Sequence, residues 1–250
     1  MTLTFGTQKQ VEASGSRCMV VELTSTTAVA FYADSSIGLR ATHLTLSGGT
    51  ITLGAELSID SNNIIVFAGT KLSSTQILLV YGYTTGTVRR ARIISVSGTT
   101  LTAEATTDLT DALLTTASDN IALATLTSTS AIFVYRQSTG VGKARILTVS
   151  GVTVTENASF QYSGDAYQNR VDVLSTTKAV VLFANGGSSN RPTAEVLDIS
   201  GTTITGNSEL EINTDGVDTA SFGSMTLGAL NSTQLIAGWN AQSTSRHKVV

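Results

Sequence analysis

The chain has 250 residues, of which 41% are hydrophobic, enough for one large all-β domain or two small ones with a packed core. Only 13% are charged, about half the usual share, and the net charge of −3 argues against a nucleic-acid binder, which would show a basic face. A single cysteine excludes an intrachain disulfide and a cysteine metal cluster, and no apolar run approaches the length of a membrane span.

Taken in chain order, the first segment is "TLTFG" from Thr2 to Gly6. It has neither a basic region nor an apolar core of signal-peptide type, so no ordinary secretion signal is expected. "CMVVEL" follows and reads as a strand, with Cys18 as a small buried hydrophobe. "LTSTT" from Leu23 is a polar turn, and "AVAFY" is a second strand. A third strand holds Ala41 and His43, with His43 facing a neighbour. "LSGGTITLG" then runs from Leu46 to Gly54.

This order returns. Ser-Gly pairs at 47–48, 97–98, 150–151 and 200–201 are 50, 53 and 50 residues apart. The turn anchor recurs at Leu72, Leu126, Leu174 and Leu230. Ser-Gly between alternating apolar runs is a hairpin turn in which Gly supplies a positive φ. A period near 50 marks stacked supersecondary units of propeller-blade size. The second strands, "AVAFY", "ILLVY", "AIFVY", "AVVLF" and "LIAGW", are nearly continuous apolar runs, which predicts burial on both faces. Ala41, Ala91, Ala144 and Ala194 share one register in the third strands, where small side chains suit a crowded contact between blades. Arg89, Arg90 and Arg92 read as the solvated face of a strand.

The fourth unit is the cleanest: "NRVDVL", "STT", "KAVVLFA", a loop "NGGSSNRP" holding Pro192, "TAEVLDI", Ser-Gly, and a last strand "TTITGNSELEI". The fifth stops inside its third strand. "TLTFG" matches "TITLG" (Thr50 to Gly54), so an N-terminal strand over 2–8 is expected to complete the last blade. The expected architecture is all-β: one domain over 1–250, a five-bladed β-propeller of four-stranded antiparallel blades. The alternative is an excerpt of a longer repeat array.

This unit, "L-[ST]-x-T" followed by an apolar strand and "SG-t-t-i-t", resembles repeats of phage structural proteins, above all tail and receptor-binding propellers. That resemblance spans the chain and implies a non-enzymatic virion-surface or tail module. Its partners would be a host-surface glycan or protein and other virion proteins. In blade number the chain is also similar to tachylectin-type lectins, whose blades each carry an aromatic residue that stacks on sugar. Tryptophan is present here only as Trp239.

Other chemistry finds little support. "STGVGKAR" (Ser138 to Arg145) lacks the first Gly and the final Ser or Thr of a phosphate loop. His43 and His247 are too few for a metal centre, and Asp60 to Asn63 are turn formers, not a calcium loop. The sequons at Asn157 and Asn231 are uninformative without a secretion signal. A glycoside hydrolase would need converging carboxylates, and Glu22, Asp119 and Asp172 lie on or beside innermost strands. No cofactor, nucleic acid or membrane insertion is expected, and a homo-oligomer stays open.

Recognition is expected on the face where loops between second and third strands meet the blade-joining loops, since variable loops on a rigid frame carry binding. Asp34, Tyr83, Arg136, Asn185 and Asn240 occupy comparable loop positions and form the candidate ligand set. "QYSGDAYQN" (Gln161 to Asn169) adds two tyrosines. A virion module, a cellular lectin-like protein and a propeller glycosidase are the three readings carried forward.

Overall fold

A computed structural model describes residues 10, 17–34, 36–83, 89–110, 121–218, 225–241 and 246–250. The strands fall into five antiparallel sheets, the blades of a five-bladed β-propeller. Blade 1 holds β1 (Arg17–Thr24), β2 (Thr27–Asp34), β3 (Gly38–Ser47) and β4 (Thr50–Asp60). Blade 2 holds β5 (Ile64–Ser73), β6 (Gln76–Tyr83), β7 (Arg89–Ser97) and β8 (Thr100–Leu109). Blade 3 holds β9 (Ala122–Thr127), β10 (Ser130–Arg136), β11 (Gly142–Ser150) and β12 (Thr153–Ser163). Blade 4 holds β13 (Ala166–Ser175), β14 (Lys178–Asn185), β15 (Arg191–Ser200), and an outer strand divided into β16 (Thr203–Gly206) and β17 (Leu210–Glu211). The described strands of blade 5 are β18 (Met225–Ala229), β19 (Leu235–Ala241) and β20 (Arg246–Val249). The predicted strand over 2–8 lies outside the described residues.

Both recurring phrases have a mechanical cause. In the polar turn, the oxygen of Thr24, Ser73, Thr127 or Ser175 accepts the backbone N–H two residues on, at 3.2–3.3 Å. The carbonyl of that same threonine (Thr26, Thr75, Thr129 or Thr177) accepts an N–H from the blade's third strand, at 2.7–2.8 Å. One turn residue thus ties three strands together. In blade 5, Asn231 replaces the hydroxyl residue, and its Oδ1 accepts the N–H of Thr233 at 2.9 Å. In the other hairpin, Gly98, Gly151 and Gly201 have φ of +61, +62 and +61, each followed by a residue of negative φ, as a type II′ turn requires.

The second strands are buried on both faces. Along β6, Ile77, Leu79 and Tyr81 join an apolar cluster shared with blade 1, while Leu78 and Val80 join one shared with blade 3. Further clusters lie between blades 3 and 4 and between blades 4 and 5. The alanines share their predicted register, opposite Phe31, Val80, Val134 and Leu182. Innermost strands of successive blades are linked by side chains: Arg17 donates to the Ile64 carbonyl, Thr125 to that of Lys71 and Arg170 to that of Met225.

Four expectations are corrected. Cys18 is exposed, because it lies on the face of β1 opposite Met19, Val21 and Leu23, the residues that pack against blade 2. Arg89 is buried at 1% exposure, and Arg90 and Arg92 bind protein partners, so the triplet is no solvated face. Pro192 pairs with Ala184 inside β15, at the second residue of the strand, where a missing N–H is tolerated. The outer strand of blade 4 breaks at Asn207–Glu209, the register at which β4, β8 and β12 carry a bulge.

An added Cβ at Gly98 meets nothing within 4 Å, so glycine is needed there for its φ and not for space. Gly98→Ala is expected to cost about 1–2 kcal/mol in urea unfolding. Gly164→Ala, at an equally open site without a positive φ, is expected to be neutral or slightly stabilising.

Candidate functional site

Antiparallel order puts the β2–β3 loop and its equivalents at the same end of the ring as the blade-joining connections. The five candidate residues lie near this end but do not share one register. Asp34, Tyr83 and Asn185 stand two residues beyond the aromatic position held by Tyr32, Tyr81 and Phe183. Arg136 and Asn240 stand one residue beyond Tyr135 and Trp239. A shift of one residue puts a side chain on the other face of a strand. Arg136 therefore shares its face with Ile132 and Val134, which pack against blade 4.

There Arg136 becomes the centre of a polar cluster. Its Nη2 donates to Asp165 Oδ1 at 2.7 Å, its Nε donates to the Gly140 carbonyl at 3.2 Å, and its guanidinium lies 3.7 Å from the Tyr167 ring centroid. The Asp165 carbonyl accepts the Gly186 N–H at 3.0 Å, and its carboxylate lies against the Gly186 α-carbon, where a Cβ has no room. Asn185, the residue before that glycine, donates from Nδ2 to Glu209 at 3.0 Å. The structure thus joins Arg136 and Asn185 through Asp165 and Gly186. Asn240 lies in β19 opposite His247, and Asp34 pairs with Gly38, with its side chain outside the described residues.

Backbone strain gathers at the same place. Among the described residues, the non-glycine residues with positive φ are Gln168 (55°), Ser189 (58°) and Asn190 (59°), all in blade 4. Gln168 is fully buried in a bulge of β13, and Ser189 and Asn190 close the loop into β15. Such conformations persist only where surrounding contacts hold them, and they concentrate at functional sites. Of the two predicted tyrosines, Tyr167 is half-buried beside Arg136. Tyr162 is buried at 4% exposure and donates to Asn169 Oδ1 at 2.6 Å, so it belongs to the core.

Sequence reading missed Glu195. It stands one residue after the shared alanine, at the address of Thr42 in blade 1, Arg92 in blade 2 and Arg145 in blade 3. It is 5% exposed, and no donor reaches its Oε2 among the described residues. The Gly206 α-carbon lies against its Oε1. Burial, with a smaller contribution from the Glu209 charge, pushes the Glu195 carboxyl up to about 7. The available signal was a glutamate in a slot that two other blades fill with arginine.

The remaining candidates are built into the frame. Tyr83 donates to Asp60 Oδ2 at 2.6 Å, and Arg90 bonds both Tyr83 and Asp108. Burial works to raise the Asp60 carboxyl, but bonds from Tyr83 and Asn62 and the Arg90 charge together hold it below its ordinary value. Trp239 is 4% exposed in the apolar cluster between blades 4 and 5 and is no sugar platform. Asp172 accepts the N–H groups of Val173 and Ala229, which ties β13 to β18. Glu22 is exposed on β1, and Asp119 lies outside the described residues. His43 is buried in β3, and its imidazole pKa is lowered by burial. Among the described residues no group of three or more His, Cys, Asp or Glu is placed to hold a metal ion, and no helix is long and apolar enough to cross a membrane.

No family model matches the chain, and no curated protein matches it. Among solved structures, AofleA from Arthrobotrys oligospora superposes with a TM-score of 0.64 at 9% identity, over 93% of this chain and 71% of that one. The SapL1 lectin, solved in complex with alpha methyl fucoside, gives 0.57 at 10% identity, over 93% and 78%. The NanB sialidase of Streptococcus pneumoniae gives 0.57 at 13% identity, over 85% of this chain but only 34% of its own. At these identities the likeness is one of fold.

The Glu195 carboxyl binds its proton more tightly in the folded chain than the ordinary value of 4.5 allows. Stability from this group is therefore full below about pH 4.5 and lost as pH rises through about 7. Glu195→Gln is expected to remove a decline on the order of 2 kcal/mol between pH 5 and pH 8. Urea unfolding of both proteins at the two pH values measures it, and equal pH slopes would refute the assignment.

Proposed function

We propose that the protein is a non-enzymatic carbohydrate-binding propeller whose recognition surface is the loop end of blades 3 and 4. The observation that carries this reading is the concentration there of all the described left-handed non-glycine residues around a guanidinium, carboxylates and an amide. Arg136, Asp165, Asn185 and Glu209 supply donors and acceptors of the kinds that fix sugar hydroxyls, and the Arg136–Tyr167 stack supplies a flat, partly apolar wall. The lectin fold of SapL1, whose bound molecule is a fucoside, makes fucosylated glycans the first class to test. Placement on a virion, with a host-surface glycan or protein as ligand and other virion proteins as partners, rests on the repeat phrase alone.

A glycan array with the purified chain tests the reading. Specific binding is expected, and Arg136→Ala and Asn185→Ala are each expected to weaken it about tenfold, the effect of losing roughly 1.4 kcal/mol of contact. Tyr83→Phe, in the blade 1–2 cluster, is expected to leave it unchanged. Absence of binding to any glycan would refute the proposal. Reducing-sugar release that vanishes in Asp172→Asn would replace it with the hydrolase reading.

A further inference from the structure

The cross-strand address that holds Glu195 is filled differently in each blade. Thr42 stands opposite Glu56 in blade 1, Arg92 opposite Thr106 in blade 2 and Arg145 opposite Ser159 in blade 3. In blade 4, β15 pairs Thr193 with Glu211 and Ala194 with Leu210, and one further step of that register brings Glu195 opposite Glu209. The ladder stops at that step. Side chains directly opposite on one face have their β-carbons about 4.5–5.5 Å apart, and like charges there repel. Among the described residues, two carboxylates face each other at this address in blade 4 alone.

Blade 1 shows what a carboxylate at this address requires. The Tyr32 hydroxyl donates to Glu56 Oε2 at 2.6 Å, and Arg40 pairs with the same carboxylate. Phe183 and Thr193 stand at those two places in blade 4, so the hydroxyl and the guanidinium are both gone. Glu209 accepts Nδ2 of Asn185 at 3.0 Å. Glu195 is 5% exposed, its Oε2 has no donor among the described residues, and the charge that acts on it is that of Glu209. Gly206 makes room for this side chain, since a Cβ there would meet Glu195 Oε1 and the Phe160 ring. What the pair lacks is positive charge, and two anionic oxygen donors suit a hard divalent cation. We propose that Glu195 and Glu209 hold a divalent cation of the calcium type between the third and outer strands of blade 4. Asn185 places an amide oxygen beside Glu209, and water or main-chain oxygens complete the shell. The cation turns repulsion at the broken step of the ladder into attraction, and so fixes residues Asn207–Glu209 between β16 and β17.

Calorimetric titration of the full chain with calcium chloride at pH 8, with no glycan present, tests the site, because carboxylates must be ionised to ligate. One saturable site is expected, with a dissociation constant on the order of 0.1–1 mM. Calcium at about ten times that constant is expected to raise the thermal midpoint by roughly 3–5 °C. Glu195→Gln and Glu209→Gln are each expected to weaken binding about tenfold or more. Glu211→Gln, which removes a carboxylate already paired with Arg191, is expected to leave it unchanged. Glu209 is exposed, so its variant is readable even if Glu195→Gln fails to fold. Absence of saturable binding of calcium, magnesium and manganese alike would overturn the proposal. Equal weakening by Glu211→Gln would also overturn it, since that would mark diffuse surface charge. Without glycan in the cell, either failure leaves the sugar reading standing.

Discussion

A sheet with apolar side chains on both faces of its second strand has no wet side, and in water it is stable only between two partners. That constraint organises the chain. Ile77, Leu79 and Tyr81 need blade 1 as much as Leu78 and Val80 need blade 3. Burial of each such side chain is worth roughly 1.5–3 kcal/mol. A single blade therefore forfeits the larger part of its stabilisation when a neighbour is removed. The alanines opposite Phe31, Val80, Val134 and Leu182 follow from the same demand, since a larger side chain at that register would hold adjacent sheets apart.

With the faces committed to packing, polar chemistry is confined to strand ends and blade edges, which accounts for the low charge content. Hydroxyl residues serve twice, once in the turn and once through the same turn's carbonyl. The ion pairs divide by location. Lys178–Asp198 and Arg191–Glu211 are solvent-exposed and contribute little. Arg145–Glu156 is buried and also engages Tyr135 and the Thr110 N–H, so it bridges blades 2 and 3. Loss of either partner would leave a buried charge uncompensated.

The repeat length, the turn chemistry and the double burial of the second strands were legible because each is local: a few adjacent residues carry the whole cause. What was not legible depends on which face a residue takes. Cys18 sits in an apolar run, yet alternation within β1 turns it away from blade 2. In the sequence Arg136 occupies a loop position comparable to those of Tyr83 and Asn185, whereas the aromatic register places it one step earlier and turns it towards Tyr167. Arg89 looked solvated because arginine usually is, and only the packing of Gly82 against its side chain reveals how deep it lies. Asp165 and Tyr167 were reached through their stretch of sequence and not as individual residues, since what selects them is a contact across blades.

The address after the shared alanine shows how such a frame accommodates different polar groups at one position. Thr42 there meets the Tyr32 hydroxyl at 3.0 Å, Arg92 donates to the Ile59 carbonyl at 2.8 Å, and Arg145 pairs with Glu156. In each of these blades the polar side chain finds at least one partner inside the protein, although the buried Nε of Arg92 has none among the described residues. Blade 4 places Glu195 at this address and Gly206 where blade 3 has Glu156, leaving a carboxylate that burial holds neutral well above its ordinary range. The same blade contains the left-handed Gln168, Ser189 and Asn190. Among the described residues, blades 1 to 3 show neither feature. Among the described residues both costs fall in blade 4, the left-handed residues towards its loop end and Glu195 in the middle of β15, where surrounding contacts must hold them.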